Sequence, residues 1–294
     1  MKKVFLIALG GLLLVSCGQR KSADAAEETE AVATDSVAAG RFEVKDLDGC
    51  KLHIYLTGDQ MGDASYIVEG TDSLVTLEQP LFKANAAEYD AYLAKLGKPV
   101  AHRIADFHLG NTGDAPLLVP EGMAAGFTSP QYTGMMSHFA EEYGDAIEPL
   151  PTGTMAELPF GKEVTLGGVA FKLLKGASND FAGANILIGN GAVYSHWAPA
   201  KSHINTLYAG DMEGVEARLA ELKEILATGA TTFVGGHGDP ATAEDVSFRI
   251  GYLEKVKELR GTQKDAPAFA AALIEAYPGL PGEESVGSLA EALY

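Results

Sequence analysis

The chain has 294 residues, of which 47% are hydrophobic and 34 are glycine, and a formal net charge of −18. That composition fits a globular α/β protein and excludes fibrous and wholly disordered classes. The acidic balance argues against nucleic acid as a partner, since no basic stripe can neutralise phosphates, and it disfavours close contact with anionic lipid.

Residues 1 to 16 read as a lipoprotein signal peptide. Lys2 and Lys3 form a positive start, residues 4 to 15 are an apolar run too short for an ordinary span, and Leu14-Val15-Ser16-Cys17 matches the bacterial lipobox. A lipobox implies cleavage before Cys17 and lipid on its thiol. The expected product is tethered to a membrane of the bacterial cell envelope, on the periplasmic or the surface side, and loss of the two lysines takes its charge to about −20. Residues 17 to 40 carry Asp24, Glu27, Glu28, Glu30 and Asp35, with Val32 and Val37 as the only sizeable apolar side chains. Such a stretch cannot offset its ordering entropy and is expected to be a flexible acidic linker.

Residues 41 to 294 are enough for one large domain. With Cys17 on lipid, Cys50 has no partner, so a disulfide and a cysteine zinc cluster are both excluded there. Any metal must be held by His, Asp, Glu or Asn.

Residues 42–47 and 51–56 alternate apolar with polar about Asp48-Gly49-Cys50, as a half-buried hairpin does. Residues 66–78 read as a second hairpin, turned at 70–73, and residues 86–96 as a helix. A strand over 100–105 then runs into Asp106 and His108, which extended backbone points to one side as two potential ligands. Residues 126–144 carry Phe127, Tyr132, Met135, Met136, Phe139 and Tyr143, which suit a cavity-lining helix and a core helix equally. His138 among them reads as a surface or capping residue and not as a ligand.

Residues 164–174 read as strand, glycine turn, strand, and 192–196 as a short apolar strand ending in His196. Residues 212–228 form an amphipathic helix. Val215, Leu219, Leu222, Ile225 and Leu226 share one face, and Glu213, Glu216, Arg218, Glu221, Lys223 and Glu224 lie mostly on the other. A strand over 231–234 ends in Gly235-Gly236-His237-Gly238, and a helix follows over 243–259. Residues 267–294 read as one or two short helices packed on the outside.

The two histidine-bearing strand ends, Asp106-Phe107-His108 and Gly236-His237-Gly238, resemble the metallo-beta-lactamase superfamily, and the resemblance covers roughly residues 41 to 260. It implies a four-layer αββα sandwich with mixed sheets, followed here by a C-terminal helical extension. The metal-binding positions of its first motif, His-x-His-x-Asp-His, fall on Asp106, His108, Gly110 and Asn111, so that His108 alone matches. Glu78 stands where the family usually carries an Asp after the strand. The third His of the family falls near residues 175–180, where Asp180 is the carboxylate substitute. Ser195-His196 occupies the Gly-Asp pair whose carboxylate bridges two metals, and His203 matches a His that some members carry seven residues later. Trp197 is placed at the pocket mouth or in the core beneath it.

A two-metal hydrolase of this kind needs two ligand sets and a bridging carboxylate. Gly110 supplies nothing and Asn111 only a neutral oxygen. The resemblance therefore implies either one zinc ion or none, with Asp106, His108, His196 and His237 as ligands and Asn111, Asp180 and His203 as further pocket residues. The favoured reading is a pseudoenzyme that binds a small ligand or partner without turnover, because Gly110 replaces the Asp that positions the nucleophile. The alternative is a single-metal zinc hydrolase acting on a small ester, amide or lactone through water activated by the ion. No catalytic residue is assigned. No serine elbow, Walker-type loop or Cys-His pair supports another enzyme class.

Overall fold

The computed structural model describes residues 40 to 110, 113 to 177 and 183 to 294; Cys17, Asn111 and Asp180 lie outside them, as do the leader and nearly all of the linker. Two sheets are built from the described residues. The first runs in the order β1 (Arg41–Leu47), β2 (Cys50–Leu56), β3 (Ala64–Glu69), β4 (Leu74–Leu77), β5 (Val100–Ile104), β6 (Leu117–Pro120) and β7 (Met155–Leu158). Its first four strands are antiparallel and the rest pair parallel from β4 onward. The expected hairpins are β1 with β2 and β3 with β4. The last two strands carry no usable sequence signal: each has four residues, and Ala156 and Glu157 of β7 are exposed.

The second sheet contains β8 (Glu163–Leu166), β9 (Val169–Lys175), β10 (Ala184–Ile188), β11 (Ala192–Ser195) and β12 (Thr232–Val234), in the order β12-β11-β10-β9-β8. Only β12 pairs parallel, against β11, so this sheet is mixed too. Period-two alternation decides what each face meets. Leu52, Ile54, Tyr66, Val68 and Val75 of the first sheet share one buried cluster with Phe171, Leu173, Ile186, Ile188 and Tyr194 of the second.

Helices cover the outer faces. Tyr89 of α1 (Lys83–Leu96) packs on Tyr55, Ile67 and Leu74. The helix begins ahead of its expected start because Lys83 and Ala84 in its first turn are exposed and carry no apolar period. The aromatic and methionine stretch is two helices, α2 (Met123–Phe127) and α3 (Pro130–Tyr143), separated where Ser129 accepts the N–H of Tyr132 at 3.2 Å and Pro130 opens the next turn. Met123, Phe127, Tyr132 and Met136 are buried against Leu117 and Val119, which is core duty. On the other side, α4 (Met212–Ala227) and α5 (Ala243–Thr262) cover Val193 and Phe233. The C-terminal helices α6 (Ala266–Ala276) and α7 (Val286–Leu293) bury Phe269, Leu273, Val286 and Leu289 in the same cluster. The four layers are therefore α, β, β and α, and the extension belongs to the domain core.

Candidate metal centre

The loop after β5 is held by one side chain. Glu78, just past β4, is completely buried, and its Oε1 accepts the backbone N–H of Asp106 at 2.6 Å and of Phe107 at 3.1 Å. Its Oε2 accepts the N–H of His108 at 2.6 Å. To do this Glu78 adopts φ of 55°, a left-handed conformation that costs a non-glycine residue on the order of 1–3 kcal/mol and is tolerated where the surroundings over-determine it. Gln79 N–H donates to the carbonyl of His108 at 3.1 Å, and the Tyr132 hydroxyl donates to that of Phe107 at 3.0 Å. The position of His108 is thus fixed by its backbone.

His196 follows β11 and His237 follows β12, neighbours in the second sheet. Gly236 N–H donates to the carbonyl of His196 at 2.9 Å. The Gly-His-Gly turn is also paired with the start of β3 in the first sheet: Ala64 N–H donates to Gly236 at 2.8 Å and Gly238 N–H to Gly62 at 3.2 Å, with Asp63 facing His237. Gly236 must be glycine for space. A Cβ there would lie 2.5 Å from Nδ1 of His196 and 3.1 Å from Cε1 of His108.

These constraints bring three imidazoles together. Ring centroids of His108 and His237 are 4.8 Å apart, of His196 and His237 5.1 Å, and of His108 and His196 5.3 Å. One nitrogen from each lies within 4.8 Å of the other two. Phe107 covers the His196 ring at 4.1 Å, and Trp197 abuts it at 4.9 Å. Burial, with the charges of His108 and His237 beside it, pushes the His196 pKa well below the ordinary imidazole range, so this ring is neutral and suited to ligation.

A fourth group arrives that sequence reasoning did not single out. Asp63 is 1% exposed, with Oδ1 3.0 Å from His237 Nδ1 and 3.8 Å from His108 Nε2. Burial alone would raise its pKa, but the charges on His108 and His237 outweigh burial and keep it ionised. Burial likewise opposes charge on His237, and Asp63 overcomes it and raises that pKa. The available signal was weak: an Asp at the end of a turn, just before a largely buried strand.

The other predicted residues go elsewhere. Asp106 is buried but turns its Oδ1 to the N–H of Ala184 at 2.7 Å and stays outside the imidazole cluster. Burial first, and then the charge of Glu78, pushes its pKa well up. His203 is held by the Tyr252 hydroxyl at 2.9 Å and by Pro281 of the C-terminal segment, so its spacing after His196 does not bring it to the centre. Asn111 and Asp180 are outside the described residues. His138 lies on the surface, as expected, 3.6 Å from Glu142. At Gly110 a Cβ would stand 2.2 Å from the Pro80 carbonyl oxygen, so no side chain fits there.

Arg218 and Glu221, expected mostly on the polar face of their helix, are buried instead. Glu221 Oε2 accepts from Arg218 at 2.9 Å, while its Oε1 accepts from Asn185 and from the N–H of Ala177, both at 3.0 Å. With Asp106, His196 and Trp197 they line a cavity of only about 30 Å³ beside the centre. A larger one of about 260 Å³, between α1 and the β4 and β5 strands near Arg103, shares none of the clustered histidines.

The donor set suits one metal ion. Nδ1 of His196 and His237, and both oxygens of Asp63, are buried without a hydrogen-bond partner among the described residues, which is expensive for groups of this kind unless something else engages them. Comparison with solved structures puts this architecture in context. A beta-lactamase domain protein from Burkholderia ambifaria aligns with a TM-score of 0.54 at 16% identity over 88% of each chain. A metallo-beta-lactamase family protein from Thermus thermophilus aligns at 0.50 and 15% identity over 84% of this chain and 91% of that one. The fold is of the metallo-beta-lactamase type. At such identities the likeness concerns the fold alone, and no protein-family model or curated protein matches the sequence.

Proposed function

We propose that this is a lipid-anchored protein of the bacterial cell envelope whose domain holds a single divalent metal ion at His108, His196 and His237 and acts by binding rather than by turnover. The observation that carries the metal reading is the convergence of one nitrogen from each of three imidazoles within 4.8 Å. A solved structure of like fold is described as a metallo-beta-lactamase family protein, which supports a metal in this chain. Leu14-Val15-Ser16-Cys17 supports the lipid anchor, and the acidic linker supports a domain held off the membrane. Zinc suits an imidazole-rich set.

The non-catalytic reading is supported by two features. Gly110 leaves no room for the second ion's carboxylate, and Ser195-His196 stands where the family carries the bridging one. A small-molecule ligand or partner that meets the half-exposed His237 and Trp197 is the expected client. A second reading, a single-metal hydrolase of a small ester, amide or lactone, is favoured by that same exposure, since solvent reaches His237. In that case the ion held by the three imidazoles would supply Lewis acidity to a bound substrate. Zinc-loaded protein tested against a panel of such substrates decides between them. No turnover above that of a His108→Ala variant is the expected result, and clear metal-dependent hydrolysis overturns the binding reading.

A further inference from the structure

Asp63 is a carboxylate that the fold buries without giving either oxygen a hydrogen bond from the described residues. Buried carboxylates are ordinarily paired with donors or bound to metal. The nearby acids are already engaged: Glu78 accepts three backbone N–H groups, and Asp106 accepts that of Ala184. Asp63 faces two of the imidazoles, His237 and His108, with no other donor on its oxygens among the described residues. His108 turns Nδ1 toward Glu78, 3.6 Å away, which leaves Nε2 on the side of Asp63. Two ligands bound to one tetrahedral ion at roughly 2.0–2.1 Å stand about 3.3 Å from each other. The separations of Asp63 Oδ1 from His237 Nδ1 and His108 Nε2, 3.0 and 3.8 Å, bracket that value.

We propose that Asp63 is the fourth ligand, completing a mononuclear three-imidazole, one-carboxylate site with His108, His196 and His237. This rests on the metal-binding reading above and deepens it. The site differs from the motif pattern suggested by the sequence, because its carboxylate comes from the residue just before β3 and not from the loop after β5. Three imidazoles and one carboxylate suit zinc and the other borderline divalent ions. Four protein ligands close a tetrahedral ion, as in structural zinc sites. Because Asp63 immediately precedes a strand of the first sheet and His237 follows a strand of the second, the ion would also clamp the two sheets together, and metal should raise the melting temperature by mass action.

The test is metal titration of the purified protein with zinc and cobalt(II), comparing wild type, Asp63→Asn and Asp63→Cys. Wild type is expected to take about one ion per chain. Cobalt in Asp63→Cys is expected to show thiolate-to-metal charge-transfer absorption that wild type lacks although it contains buried Cys50. Asp63→Asn is expected to lose more affinity than the roughly 10- to 100-fold that an outer hydrogen-bonding partner costs. Cobalt bound by Asp63→Cys without that absorption, or Asp63→Asn binding within about tenfold of wild type, reduces Asp63 to a positioning residue for His237 and leaves the three-imidazole reading standing. Wild type that binds neither metal overturns both. If Asp63→Cys does not fold, the asparagine variant decides.

Discussion

Glu78 Oε2 accepts the backbone N–H of His108 at 2.6 Å and lies 3.6 Å from Nδ1 of the same residue. One carboxylate thus sets both where His108 sits and which edge of its ring faces the centre, as outer partners of metal-binding histidines do. Glu78→Gln places an amide N–H against backbone donors in a fully buried position. It is expected to cost about 2–4 kcal/mol in urea unfolding and to weaken metal binding as well. Unchanged stability would show that the clamp is dispensable.

Gly236→Ala tests the packing of the His196 ring. The added Cβ would lie 2.5 Å from Nδ1, so the ring must move. A loss of about 1–3 kcal/mol and a marked fall in metal affinity, with the circular dichroism spectrum retained, are expected. Full affinity would mean that His196 is not needed.

Gly110→Asp restores the residue type that the family resemblance places there, yet its Cβ would meet the Pro80 carbonyl at 2.2 Å. Destabilisation with metal stoichiometry no higher than wild type is expected. A second ion per chain on elemental analysis would contradict the steric argument.

Asp106→Asn keeps an oxygen for the N–H of Ala184. Its metal affinity is expected to match wild type within the scatter of the titration. A clear loss would return Asp106 to the ligand set that the sequence suggested.

Acid stability has a separate, identifiable contributor. Glu69 lies 2.8 Å from Lys98 and 2.9 Å from His53, and Lys98 first, then His53, hold its carboxyl below the ordinary value of 4.5. The folded state therefore binds this proton less readily than the unfolded chain. The stability Glu69 contributes is complete above pH 4.5 and is lost as pH falls through the lower folded value. Glu69→Gln is expected to flatten the fall in urea stability below pH 4.5. An unchanged acid limb would assign that fall to other carboxylates.

Much of this was legible in the sequence. His108, His196 and His237 each end an apolar strand, and strand ends on one side of a sandwich converge, so local pattern and layer architecture together located them. Glu78 was legible as a polar strand end, but not as a clamp, since its partners are backbone groups of a loop 28 to 30 residues later. Asp63 was hidden for a different reason. It reaches the centre only because the turn after β12 pairs with the start of β3, a contact between two sheets that no local periodicity encodes. His203 shows the converse. Its spacing after His196 matched the family, but the chain between them turns toward Tyr252 and the C-terminal segment, which claim its ring and backbone. Arg218 and Glu221 misled through their charge: helical position made them look solvated, and the mutual pairing that lets them be buried is visible only in three dimensions.

The most direct measurement is elemental analysis of protein purified without added metal and then dialysed against micromolar zinc, for wild type and for His108→Ala and His237→Ala. About one ion per chain in wild type, lost in both variants, is the predicted result. A wild-type chain that stays empty, or variants that retain the ion, would contradict a metal centre at these three histidines.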